Sequence, residues 1–261
     1  MSAIVSRILK DKVFTTPDLI FSKEDVDKYD DEDEDYYEYV DKLPPMFVSL
    51  LNKWNLKLKK YDNDSDVKYT IKKEYYTILE EYLKIVVEFN AKVLWGNAWN
   101  INLGPLRSNN GNISRMSLQD LINSLKVLKN DSEYIKEVLN TLKLLERQRK
   151  LRNDGSHRPM CLNLMNEDVK QNVIQIIETL LTAFPDCIKV EGVTNNGYKC
   201  LLCKGVKSKS IIVKTNKSLT IGKYYYTKIE KHDLNKGIID NPKYLYEMEF
   251  KTNHPLEKSL N

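Results

Sequence analysis

Between residues 44 and 184 the apolar side chains recur in steps of three and four, whereas after Pro185 short runs dominated by aromatic and β-branched residues replace that rhythm. The first pattern keeps one face of an α-helix apolar and the second favours β-strands. Pro44-Pro45 opens a helix carrying Met46, Phe47, Leu50, Leu51 and Trp54, since proline is tolerated in a first turn. Asp62 to Asp66 interrupts it. Ile71, Tyr75, Ile78, Tyr82, Ile85, Phe89 and Val93 then predict one long helix over 68–95. Gly96 to Ser114, with three glycines and a proline, reads as a loop. Ser117 caps a shorter helix through Leu118, Leu121, Ile122, Leu125 and Leu128, and Asp131-Ser132 starts another with Ile135, Val138, Leu139, Leu142 and Leu145 on one face. Gly155 and Pro159 are expected to end that helix. Asn166 caps a last one bearing Val169, Val173, Ile176, Leu180 and Phe184, which Pro185 stops. Trp54, Trp95 and Trp99 lie on helix faces and are expected in the core.

Beyond Pro185, short runs rich in β-branched and aromatic residues cover Cys187 to Val193, Tyr198 to Cys203, Ser210 to Thr215, Tyr224 to Lys231 and Tyr244 to Phe250. Thr194-Asn195-Asn196-Gly197 is a turn between the first two. The fold class expected is α+β: an all-α bundle of about five helices over 44–185, then a small antiparallel β domain over 186–261, a barrel or curled sheet. Residues 1–43 form an acidic N-terminal segment, partly flexible. Its run Asp30 to Asp35 is six adjacent like charges that repel one another, so an exposed loop is expected through residue 42. The run lacks the glycine and alternating ligands of an EF-hand.

Composition narrows the chemistry. Only nine glycines are present and no glycine-rich phosphate loop occurs, which argues against P-loop and Rossmann enzymes. No apolar run is long enough to span a bilayer, and Met1 to Lys12 lacks the apolar stretch of a signal peptide, so a cytoplasmic protein with no membrane partner is expected. Four cysteines do not make a disulfide scaffold at this length. Charge is uneven: residues 1–65 carry ten basic and fifteen acidic side chains, residues 187–261 fourteen lysines and seven acids. A basic tail is compatible with polyanion binding.

The densest candidate chemistry is Arg152-Asn153-Asp154-Gly155-Ser156-His157. Arginine forks onto phosphate, and histidine titrates near neutrality. Arg152-Asn153 followed by His157 after four intervening residues resembles the signature of the HEPN superfamily, helical bundles that include many ribonucleases of toxin–antitoxin, antiviral-defence and CRISPR-associated systems. The resemblance covers 44–184 in architecture and six residues in motif. It implies a metal-independent endoribonuclease, a hydrolase-type nuclease without cofactor, with Arg152 and His157 as the catalytic pair and Asn153 supporting their orientation. It further implies a homodimer lining one cleft, RNA as substrate, and an antitoxin or regulatory protein as partner. In that mechanism His157 moves the proton while Arg152 stabilises charge as the 2′-hydroxyl attacks the phosphate. Toxins silenced by nucleotidyl transfer often carry tyrosine two residues after the histidine; Pro159 stands there instead.

Arg147, Arg149, Lys150 and Arg158 flank the motif as candidate RNA contacts. Lys223, Tyr225 and Lys228, around the run Tyr224-Tyr225-Tyr226, could offer a stacking platform for single strands. Arg152 equally suits a helix C-terminus, where cations are favoured. Cys200 and Cys203 have the spacing of a zinc knuckle, with Cys161, Cys187, His232 or His254 available, but no second close pair exists, so no metal is expected. The alternative to the nuclease is a non-enzymatic helical scaffold or regulatory protein that binds a protein or nucleic acid.

Overall fold

A computed structural model describes residues 38–61, 63–106, 113–135, 139–157, 168–204 and 209–248. The chain has the α+β class, divided into two compact units: Leu50–Pro185, and Met1–Ser49 together with Asp186–Asn261. The helical unit thus begins at Leu50, and residues 44–49 group with the sheet.

The helices are α1 (Pro45–Lys60), α2 (Ser65–Trp95), α3 (Trp99–Leu103), α4 (Leu118–Leu128), α5 (Leu139–His157) and α6 (Val169–Thr179). In the helical unit α2 is the axis, flanked by α3, α4 and α6, with α5 against α4 and α6. Its N-terminus is capped by Asp64, whose carboxylate accepts from the Asp66 and Val67 amides at 3.1 and 3.0 Å. Ser117 and Asp120 cap α4 reciprocally, each side chain accepting from the other's backbone amide.

Buried polar groups tie α2 to distant segments. Asn90, wholly buried, donates to the Val86 and Ala183 carbonyls at 2.7 and 2.9 Å and accepts from the Ser132 hydroxyl at 2.9 Å. The Tyr82 hydroxyl donates to the Ile177 carbonyl at 2.9 Å, and its ring stacks on Phe184 at 4.9 Å. Glu88 and Lys92 form a buried pair at 2.6 Å.

Several local expectations are corrected. Residues 96–106 are not an open loop but hold α3 between single 3-10 turns at Gly96–Ala98 and Gly104–Leu106. Ser132 does not start a helix: its hydroxyl accepts from the Tyr134 amide at 3.2 Å and serves Asn90, and residues 132–135 are non-helical. Gly155 does not end α5, which runs on to His157; a single glycine in a helix costs only about 1 kcal/mol. The cap of α6 is Asp168, which accepts from the Gln171 amide at 2.9 Å, and the helix ends at Thr179. Asn166, Pro159 and Arg158 lie outside the described residues, as does the acidic run 30–35. The end of that segment is no exposed loop: Glu38–Asp41 is a 3-10 turn and Tyr39 is wholly buried. The three tryptophans are only half-buried. The ammoniums of Lys53 and Lys57 lie over the Trp54 ring and that of Lys92 over Trp99.

The second unit is built on β1 (Asp186–Thr194), β2 (Gly197–Cys203), β3 (Lys209–Lys214), β4 (Tyr224–Thr227), β5 (Ile238–Asp240) and β6 (Leu245–Glu247), in the order β5-β3-β2-β1-β4-β6. Five strands, all antiparallel, were expected; among the described residues the sheet has six and is mixed, because β3 and β5 pair in parallel. The crossover needed for that pairing comes from a short helix, α7 (Lys231–Lys236), ended by Gly237 at φ +68°. One sheet face carries the apolar core: Ile188, Val190, Cys200, Leu202, Ile211, Val213, Tyr225 and Leu245. The register alternates these with the opposite face, where Cys187 is opposite Cys203 and Tyr226 opposite Tyr246. At the β1–β2 turn, Gly197 has φ +132°, and a Cβ there would stand 2.6 Å from the Val213 carbonyl oxygen.

Candidate functional site

Arg152 lies in the last turns of α5, and its guanidinium is already engaged. Nη1 donates to Glu80 Oε1, and Nη2 to Glu80 Oε2 at 3.3 Å. This is the fork-on-carboxylate arrangement that makes arginine suited to planar anions. One turn earlier on each helix, Tyr76 donates its hydroxyl to Gln148 Oε1 at 3.0 Å. The two contacts advance in the same order along α2 and α5, so the helices run in the same direction at this seam. Gln148 is wholly buried, and its Nε2 has no partner among the described residues. Burial raises the Glu80 carboxyl above its ordinary value, and the Arg152 charge only partly offsets this.

Arg152 keeps 36% of its side chain exposed, against 15% for Glu80. Asn153 is exposed beside it. His157 is the last residue of α5, and its side chain lies outside the described set. Five residues on one α-helix place two Cα atoms about 7.5 Å apart along the axis and about 140° apart around it. Within one chain, therefore, the backbone does not set Arg152 and His157 on one face, which a loop between them would have allowed.

The expected flanking contacts separate into two groups. Arg147 and Lys150 are exposed, while Arg149 is partly covered and bonds Glu146 at 3.4 Å. Glu146 also accepts from Lys126 at 2.8 Å, and the two cations, Lys126 first, hold its carboxyl below the usual range. On the sheet, Lys223 is exposed, 3.6 Å from Glu247. Tyr225 offers no ring for stacking: it is buried in the apolar core and its hydroxyl accepts from the Thr220 amide at 2.9 Å. Lys228 is no free surface cation, because burial pulls its amine down to about 8 despite the nearby Asp186 carboxylate. Asp186 itself is held by Lys204 at 2.7 Å and by the Ile229 amide at 2.9 Å.

The zinc-knuckle spacing has no counterpart in space. Three residues apart on β2, Cys200 and Cys203 face opposite sides of the sheet, Cys200 in the apolar core and Cys203 opposite Cys187. Among the described residues no group of three or more His, Cys, Asp or Glu could hold a metal ion. Among the same residues no helix is long and apolar enough to cross a membrane. Glu80 was missed from the sequence. The one available signal was the matching one-turn spacing of Tyr76 with Glu80 and of Gln148 with Arg152, which names no partner by itself.

Compared with family models, curated proteins and solved structures, the chain matches none.

Proposed function

We propose that this protein is a non-enzymatic, nucleic-acid-binding regulatory protein, in which the Arg152 region is a structural strut. The observation that carries the reading is the Arg152–Glu80 fork: the paired donors that would cradle a phosphorane are turned onto a carboxylate within the same unit. Polyanion binding then falls to exposed cations. Among the described residues from Asp186 onward, Lys199, Lys209, Lys217, Lys223, Lys231, Lys236 and Lys243 are exposed, against Glu191, Glu230, Asp240 and Glu247. Such a surface reads phosphate rather than base sequence, and releases counterions on binding.

The second reading, a metal-independent ribonuclease of defence or toxin–antitoxin type acting as a homodimer, draws support from one observation. Arg152 and Asn153 reach solvent at the end of α5, where the motif of a second copy could meet them.

One experiment separates them: mixed single-stranded RNA in EDTA, with wild type and His157→Ala purified in parallel. The binding reading expects no cleavage, affinity that falls steeply with salt and equally in both proteins, and weaker binding by Lys209→Glu/Lys217→Glu/Lys243→Glu. Cleavage by the wild type alone, leaving cyclic-phosphate ends, overturns it in favour of the nuclease.

A further inference from the structure

Cys187 and Cys203 are cross-strand partners on the rung where the β1–β2 ladder begins, far from its turn at Thr194 and Gly197. Directly opposed residues of an antiparallel pair have Cα atoms about 4.5 or 5.5 Å apart, depending on the rung. Both spacings lie within the roughly 4.4–6.8 Å across which disulfides are found, and the register sets the two side chains on one face of the sheet. Both thiols are free and buried.

The two are not equivalent. Cys203 is held below the usual thiol value, chiefly by the hydrogen bond from Cys187 and with help from the Lys189 ammonium, against the opposing effect of burial. Cys187 is held well above it, by the same pairing and by burial. The lowered sulfur takes the attacking role and its raised neighbour the resolving one. A third sulfur, Met248 Sδ, lies 3.3 Å from Cys187 Sγ. Cys200 is a built-in control. It lies on the opposite face of the sheet, in the apolar core, where burial pushes its thiol up to about 12.

We propose that Cys187 and Cys203 form a redox-active dithiol that a hydroperoxide converts to a disulfide across β1 and β2. The Cys203 thiolate attacks a peroxide oxygen; the O–O bond breaks, Cys203 becomes a sulfenic acid, and the departing hydroxide leaves as water with the proton Cys203 gave up. Cys187 then loses its proton and attacks the Cys203 sulfur. The S–S bond forms, the S–O bond breaks, and hydroxide departs as a second water with that proton. Two thiols lose two electrons, and one hydrogen peroxide is reduced to two waters.

The test uses the full-length native protein and hydrogen peroxide. After treatment, remaining thiols are alkylated in denaturant and the digest is sequenced by fragmentation. The expected product is about 2 Da lighter than the reduced chain before alkylation, reverts with dithiothreitol, joins Cys187 to Cys203, and leaves Cys200 alkylated. In Cys187→Ser the intermediate cannot resolve, so Cys203 should be trapped by dimedone. The proposal is overturned if both thiols stay alkylatable at peroxide levels that already make methionine about 16 Da heavier, if the bond instead joins Cys200, or if Cys203 in Cys187→Ser yields no dimedone adduct.

Discussion

The two units solve the same problem with different side chains. In the helical unit each backbone hydrogen bond is spent inside its own helix, so the helices must be tied to one another by side chains. That is where Asn90, the Tyr82 hydroxyl, Tyr76–Gln148 and Glu80–Arg152 act, across separations of 42 to 95 residues. In the sheet unit the backbone ladder itself joins the strands. The side-chain ties of β4 span shorter separations: Tyr225 in the core accepts from the Thr220 amide, 5 residues away, and the buried Thr227 hydroxyl donates to the Tyr244 carbonyl, 17 residues away. Removing a buried side chain should therefore cost cavity energy in the sheet and orphaned hydrogen bonds in the bundle.

The largest effect is expected from the sheet. Ile188→Ala empties a wholly buried position beside Leu202 and Tyr225, and truncations of this kind cost about 4 kcal/mol. Asn90→Ala should follow at about 3 kcal/mol, because it strands the Ala183 carbonyl and removes the acceptor of the Ser132 hydroxyl. Amide hydrogen exchange measured segment by segment is the right readout, since a chain of two units need not unfold in one step. If Asn90→Leu, which fills the space without the bonds, is as stable as wild type, the polar tie is not what holds α2 to residues 132 and 183. Next comes Gly197→Ala, at about 2 kcal/mol: its φ of +132° suits glycine alone, and the new Cβ would meet the Val213 carbonyl. Weakened exchange protection along β2 and β3 would show it; unchanged protection would mean that the turn adjusts freely.

How much of this was legible follows from the same contrast. Periodicity is a local signal, and it marked α2 and α4 because their apolar stripes are long. It could not mark β5, three residues long and paired in parallel only after α7 carries the chain across. Breaker residues misled where one weak preference met a favourable helix: Gly155 is simply absorbed by α5. Ser132 looked like a cap because cap and buried strut demand the same hydroxyl, and nothing local tells them apart. At the candidate site the residue types were plain, but Arg152 is 72 positions from Glu80, and one unaligned sequence does not pair such segments. Tyr225 and Lys228 read as surface chemistry because tyrosine and lysine usually are; alternation along β4 puts the first in the core.

A smaller effect, but a signed one, belongs to Glu80. Its carboxyl is raised in the folded state, so folding takes up a proton there. The stability this contributes is complete below the ordinary value of 4.5 and is lost as pH rises through the raised value. Glu80→Gln cannot titrate, so the helical unit of the variant should lack this decline between acid and neutral pH. A denaturation series across that range, followed by helical circular dichroism, reads the difference between the two slopes. Parallel slopes would mean that Arg152 fully compensates the buried charge, and Glu80 would then resemble Glu146, whose cations hold it low.

The least effect is expected where the bundle shows its largest apolar exposure. Ile101 in α3 is 77% exposed, so its side chain gains little from folding. Ile101→Ser should shift stability by no more than about 0.5 kcal/mol in thermal unfolding of the isolated protein. A substantially larger loss would mean that the isoleucine is covered in solution. The contrast between a bundle held by polar ties and a sheet held by its ladder would then have to include a contact made outside the single chain.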